Sequence, residues 1–358
     1  MKKKLIIFLA CLAGALILAG GITAYLDPFM VYHAPLEDYY YTLDNQRYQS
    51  PGIIAFYDYD AMIAGTSLTQ NFSTNQMAEL FGVTAIRVSL SGSTMYEAAQ
   101  EVEQAVDSGH ALQLVLRSLD LNHLIEEPDA LRTDLGVYPE YLSNDNPFDD
   151  VKYLFNRDVM ISYCIPMLAG RLAGEEGGAT SMEEFNRMST GETGAEAVLG
   201  GRTSFVLPEE SALERLSDEE WAMTSENVQE NIVRLAQENP DTTFLYFIAP
   251  YSAVWWGERY EDGQILRYME AEELALEAML GLDNIRIYGF SNEPELTSDL
   301  SQYADSIHYI AEINDWILER IAAEDAAYLL TKDTCAAFLE TQKELWLGYD
   351  YDSILNLP

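Results

Sequence analysis

The chain opens on Lys2-Lys3-Lys4 and then runs without a charge from Leu5 to Ala24. About 20 apolar residues in helical form cross the hydrocarbon core of a bilayer. The basic flank favours the cytoplasmic side, so everything after Tyr25 is expected outside the cell. A cleaved signal peptide has a shorter apolar core, about 7–15 residues, closed by a small-residue cleavage site. Here the run is longer, and AYLDPFMVYH follows it with no A-x-A site. The pattern predicts a retained single-pass anchor over residues 1–26, with the C-terminal part extracytoplasmic.

Residues 27–57 are rich in Tyr, Asp and Pro and read as a stalk. From residue 58 short apolar runs alternate with stretches of helical periodicity. Strands are expected at Asp58–Ala64, Ala85–Leu90 and Leu112–Leu116, with helices over Asn75–Phe81 and Tyr96–Val106, the latter capped by Ser93 or Thr94. The pattern loosens between about 128 and 225, read as a long insertion. It returns with a helix over Glu226–Glu238, a strand Thr243–Ala249, a helix Gln264–Leu280, a strand Asn284–Tyr288 and a helix Ile307–Ile321. Alternating strands and helices predict a parallel sheet covered on both faces, an α/β domain over 58–322, and a mixed tail over 323–358.

Charge narrows the partners. The 358 residues hold 59 acidic against 20 basic side chains, a formal net charge of -39. Binding nucleic acid means neutralising phosphates with clustered Lys and Arg, so nucleic acid is excluded as a partner. Of three cysteines, Cys11 lies in the apolar run, and Cys164 and Cys335 have no zinc-ligand spacing. They read as two lone thiols. The acidic pairs Asp149-Asp150 and Glu175-Glu176 lack EF-hand spacing and read as solvated surface, so no metal site is expected.

In open α/β sheets, ligands gather on the loops beyond the carboxyl ends of the strands. The first such loop carries Gly65-Thr66-Ser67, where a hydroxyl meets solvent and nearby backbone N–H groups can face an oxyanion. By itself the triplet equally describes a helix cap. A serine nucleophile needs a base, and the base an orienting group. Of four histidines, His33 lies in the stalk, His110 in a turn, and His123 on the loop face after the third strand. His308, near the far end of the sheet, has an acid three residues before it, in Asp305-Ser306-Ile307-His308. Trp255-Trp256 fits either a sugar-stacking surface or a core plug.

An early strand–Ser loop and a late Asp-x-x-His in one α/β domain resemble the SGNH hydrolase superfamily, the GDSL-type esterases. Gly65-Thr66-Ser67 stands at its first block, Ser91-Gly92-Ser93 at its glycine block, and Asp305 and His308 on its last. The basic start, single helix and Ala64-Gly65-Thr66-Ser67-Leu68-Thr69-Gln70-Asn71-Phe72 look more closely like membrane-anchored SGNH-like proteins of Gram-positive bacteria. Asp145-Asn146-Pro147-Phe148, Ala249-Pro250-Tyr251-Ser252 and Asp350-Tyr351-Asp352-Ser353-Ile354 look similar to that group too.

The resemblance implies a flavodoxin-like three-layer α/β/α fold and a serine esterase or acyltransferase that needs no cofactor. Ser67 would attack an ester, His308 would move the proton, and Asp305 would hold the imidazole. The N–H groups of Ser67 and Gly92 would receive the oxyanion. The implied substrate is an ester on a cell-envelope glycan or polymer, by analogy alone. One block departs from the pattern: where the family places an asparagine donor, this chain has Asp120, with Asn122 two residues on. An ionised carboxylate accepts hydrogen bonds and repels an oxyanion. Either Asp120 holds the loop or a substrate hydroxyl, or Asn122 reaches in. A silent SGNH-fold module for envelope binding or assembly is the alternative.

Overall fold

The computed structural model describes residues 2–134, 138–144, 146–189 and 191–356. Asp145, named above, lies outside the described residues, as do 135–137 and 190 of the expected insertion and 357–358 of the expected tail. The chain divides into two compact units, Met1–Asp58 with Gly136–Asn186, and Tyr59–Leu135 with Arg187–Pro358.

The first unit starts with one helix, Lys2–Leu26, long and apolar enough to cross a membrane. Its first two-thirds are exposed, whereas Gly20, Thr23 and Leu26 are buried. Leu26 O accepts a hydrogen bond from Tyr41 Oη at 2.7 Å. Asp27 (φ +43°) then turns the chain, its carboxylate accepting the N–H groups of Val31, Tyr32 and His33 and the Tyr153 hydroxyl.

Residues 27–57 are therefore no free stalk. Their apolar side chains Phe29, Met30, Tyr41, Leu43, Ile53 and Ile54 are buried, and so build a core. Asn45 caps the helix Gln46–Phe56. Inside that helix Gly52 is obligatory, because a Cβ would stand 2.1 Å from Phe29 O. The segment 128–225 is likewise no single insertion. Its middle joins the first unit, where Tyr40 and Tyr41 pair with Gly178 and Ala179, and its ends belong to the second.

The second unit is α/β. Its six strands are β1 (Ala61–Ile63), β2 (Ala85–Arg87), β3 (Leu114–Ser118), β4 (Thr243–Ile248), β5 (Ile285–Gly289) and β6 (Leu329–Leu330). Their order across the sheet is β2-β1-β3-β4-β5-β6, parallel except for β6. β1 and β2 are buried along their whole length, as strands covered on both faces must be. Right-handed crossovers toward β2 and then back to β3 place their helices on opposite faces. Accordingly Thr74–Phe81 packs with Ala311–Ala322, whereas Met95–Asp107 packs with the Asp218–Glu238 helix and that helix with Ile265–Met279.

Local sequence explains the ends of these elements. Thr94 and Glu97 form a reciprocal capping box, and Ser217 with Glu220 forms a second. That second box starts its helix at Asp218, eight residues before the expected Glu226. In the other direction, the helix expected from Ile307 begins at Ala311, because Ile307 and His308 give their N–H groups to Asp305 instead.

Candidate active site

The chain leaves β1 for one side of the sheet and β3 for the other. The gap between them is the topological switch point, where α/β sheets place ligands. Gly65-Thr66-Ser67 follows β1 at that point. Gly65 has φ +142°, and a Cβ there would meet Thr69 and Ser118 Oγ at 3.2 and 3.3 Å. Only glycine fits. Its carbonyl accepts from Leu90 N and Ser93 Oγ, which ties the loop after β2 to the loop after β1. Gly92 stands in that second loop at φ +58°, its own carbonyl held by Arg132 Nη1 at 2.9 Å.

Ser67 Oγ lies 2.7 Å from His308 Nε2, across 241 residues of sequence. His308 Nδ1 lies 2.6 Å from Asp305 Oδ2. With Nδ1 donating to the carboxylate, Nε2 is left as acceptor for the Ser67 hydroxyl, the relation a nucleophile and base require. Asp305 Oδ1 accepts the N–H groups of Ile307 and His308 at 2.8 and 2.7 Å. Partial burial works against its charge, but the bonds from His308 and Ile307 outweigh it and hold the carboxyl below its usual range. The relay is not enclosed, since side-chain exposure is 24% for His308 and 52% for Asp305.

The turn carrying Asp305 and His308 is anchored to the loop after β4. Ser306 O accepts from both N and Oγ of Ser252 at 3.2 and 2.9 Å, and Tyr303 Oη donates to Pro250 O at 2.7 Å. These positioning residues have no chemical signature in the sequence. Pro250 and Ser252 are signalled by their place just beyond a parallel strand and by the Ala249-Pro250-Tyr251-Ser252 resemblance, whereas nothing local points to Tyr303.

Asp120 points inward. Its Oδ2 accepts from Thr66 Oγ1 at 2.8 Å, and its Oδ1 accepts from Tyr251 Oη at 2.6 Å and from Asn122 N and Nδ2 at 3.1 Å each. Desolvation alone would raise its pKa, yet the neighbouring His123 charge and these donors lower it, so it stays an anion. Of the roles open to Asp120, the structure shows the loop-holding one: its carboxylate accepts from Thr66, Tyr251 and Asn122. Asn122 is also engaged, its Oδ1 accepting from Trp255 Nε1 at 3.3 Å. His123, the other histidine on the loop face, turns to Glu126 with Nδ1 2.8 Å from Oε1.

The two tryptophans are core. Trp255 stacks on Tyr251 at 4.5 Å between centroids and Trp256 on Trp346 at 5.3 Å, both indoles buried, so no face is left for a sugar. Cys164 and Cys335 are buried and unpaired. Among the described residues no group of three His, Cys, Asp or Glu side chains is placed to hold a metal.

No family model matches the chain, and no curated protein matches it. Among solved structures, a Streptococcus pneumonia protein described as a "putative platelet activating factor" aligns over 79% of this chain and 91% of its own. That alignment has 10% identity and a TM-score of 0.39.

Proposed function

We propose that the second unit is a serine esterase or acyltransferase of the SGNH type that uses Ser67, His308 and Asp305. The observation that carries this reading is the continuous relay of 2.7 and 2.6 Å from Ser67 Oγ through the imidazole to the Asp305 carboxylate. Ser67 Oγ attacks an ester carbonyl while Nε2 takes its proton. The N–H groups of Ser67 and Gly92 receive the oxyanion, and the imidazolium returns the proton to the leaving alcohol. Water or a second alcohol then releases the acyl group. Asn122, whose Nδ2 has a second hydrogen beyond the one given to Asp120, is the candidate third donor.

The unit is proposed to work outside the cell, held by the N-terminal helix, on an acyl ester of an envelope glycan or polymer. Retention of that helix is supported by its last turns, where Leu26 and Thr23 are core residues and Leu26 O is capped by Tyr41. Cleavage there would cut into the first unit.

One observation favours the silent-module alternative: Asp120 is an anion where the resemblance expects a donor. A fluorophosphonate probe separates the two. Stoichiometric labelling that Ser67→Ala abolishes supports the enzyme; a folded chain that the probe leaves untouched supports the silent module.

A further inference from the structure

In the first unit a second apolar segment lies along the N-terminal helix. It consists of a short helix, Val151–Leu154, and a longer one from Arg157 to Ala173 with a π-turn at Met160–Cys164. From Val159 to Gly170 it carries no charge. Its inward face, Val159, Cys164 and Met167, is buried. Its outward face is apolar at helical spacing: Ile161, Ile165 and Leu172 are exposed, Leu172 at 88%. Phe148 (86% exposed), Val151 and Phe155, just before the longer helix in the chain, are exposed as well. A soluble domain rarely leaves this many large apolar side chains of one short segment to water.

The contacts of this segment fix its depth. A Cβ at Gly20 would lie 3.2 Å from the Phe155 ring. Leu168 also lines an open groove along the N-terminal helix with Gly14, Ile17, Gly21, Tyr25 and Leu26. Gly20 is fifteen residues beyond Leu5, or about 22 Å along a helix rising 1.5 Å per residue. A hydrocarbon core is about 30 Å thick, so a span starting at Leu5 leaves Gly20, and with it the Phe155 ring, roughly 8 Å inside its far edge. The same level is flanked by charge. Arg157 and Asp158 are exposed at the start of the helix, and Arg171 pairs with Asp38 near its end. Charged ends around an apolar outward face suit a helix lying in the headgroup–acyl boundary, immersed by about 5–10 Å.

We infer that residues 148–172 form a second, non-spanning membrane element whose outward face, Phe148, Val151, Phe155, Ile161, Ile165 and Leu172, is covered by the acyl chains of the outer leaflet. The partner is the lipid bilayer itself. This inference rests on the N-terminal helix being a retained span and is independent of the Ser67 chemistry. The first unit is thereby a two-point membrane foot whose orientation the single span alone would leave free to rotate.

The test uses the full chain in phosphatidylcholine vesicles containing a lipid with a diazirine on its acyl chain. After photolysis, peptides covering 148–172 should carry lipid adducts, as should peptides of the span. Adducts on the span alone would overturn the inference while leaving the anchor intact, and adducts on neither would remove both. A second arm places tryptophan at Ile161→Trp, Ile165→Trp or Leu172→Trp, with Leu18→Trp and Glu219→Trp as lipid and water references. Each of the three should lose most of its added emission to acyl-chain bromines and little to aqueous iodide. Quenching by iodide would mean water covers the face; protection from both quenchers would mean protein does, as in a second copy. Either result overturns the inference.

Discussion

Asp120 and Asp305 both organise a turn beside Ser67, but they divide their acceptor atoms differently. Asp120 is buried and receives donors from Thr66, Tyr251 and Asn122, all within the protein. Asp305 gives one oxygen to two backbone N–H groups and the other to an imidazole whose far nitrogen meets Ser67. The first carboxylate closes a network; the second begins one that ends on the half-buried Ser67 hydroxyl. Under the proposed mechanism the second network is the reactive one, while the first, fully satisfied, rigidifies the loop.

The contrast breaks most visibly in the second network. Ser67→Ala and His308→Ala should each lower hydrolysis of nitrophenyl acetate by on the order of 10⁵-fold, and the double variant should lose little more, because the pair acts as one unit. An unchanged rate in Ser67→Ala would remove the relay from the mechanism. Asp305→Asn comes next. Loss of a buried triad aspartate costs roughly 10⁴-fold in turnover. Asp305 is 52% exposed and its field is screened by water, so about 10²–10³-fold is expected here. Steady-state kinetics on the three variants would rank them, and a larger loss for Asp305→Asn than for Ser67→Ala would invert the comparison.

At the closed network the readout is stability. Asp120→Ala leaves the Thr66 and Tyr251 hydroxyls without their acceptor and should cost about 1–3 kcal/mol in denaturant unfolding, with Tyr251→Phe nearer ~1 kcal/mol. Since the Asp120 pKa is lowered in the fold, its stabilising share is present above the unfolded carboxyl pKa and fades as pH falls through the folded one. Asp120→Ala should therefore flatten the acid limb of the stability curve. If Asp120→Ala matched wild type in both Tm and acid limb, the network would be incidental.

A third acid sharpens the same point with a smaller effect at neutral pH. Glu272 is fully buried, its Oε1 meets only Gln342 Nε2 at 3.3 Å, and its Oε2 has no partner. Burial pushes its pKa from 4.5 to about 8. Because the fold binds this proton more tightly than the unfolded chain, stability should decline as pH rises from 4.5 through about 8. Glu272→Gln should remove that decline, with little change at pH 4 and a higher Tm at pH 9. Parallel melting curves across pH would check it. Four donors keep Asp120 charged in the interior, where one cannot keep Glu272 charged.

Much of this was legible beforehand where the information is local. Thr94 and Glu97 signal a helix start within four residues, and the apolar runs at β1, β3 and β4 signal covered strands. Ser67, Asp305 and His308 could be picked out because their types and spacing match one chemical task. Where the information is not local, the reading failed. Residues 27–57 look like a stalk until residues 138–186 supply the partners that bury Phe29 and Tyr41. For Trp255 and Trp256 the pair of residues fits a core plug or a sugar-stacking surface, and only the cover supplied by Tyr251 and Trp346 makes them core.

By itself the sequence determined the apolar N-terminal helix, the alternation that makes a covered parallel sheet, and the residue types available for acyl chemistry. Each follows from periodicity and side-chain chemistry within a few turns of chain. Only the tertiary structure decided that Ser67 and His308 meet, that Asp120 faces inward, and that the segment 148–172 lies along the first helix. Those outcomes depend on crossovers that close loops from the 54 residues between Thr66 and Asp120 to the 241 between Ser67 and His308. Hydrophobic pattern fixes which face of an element is buried, but which distant atoms then come within 3 Å is set by packing of the whole unit.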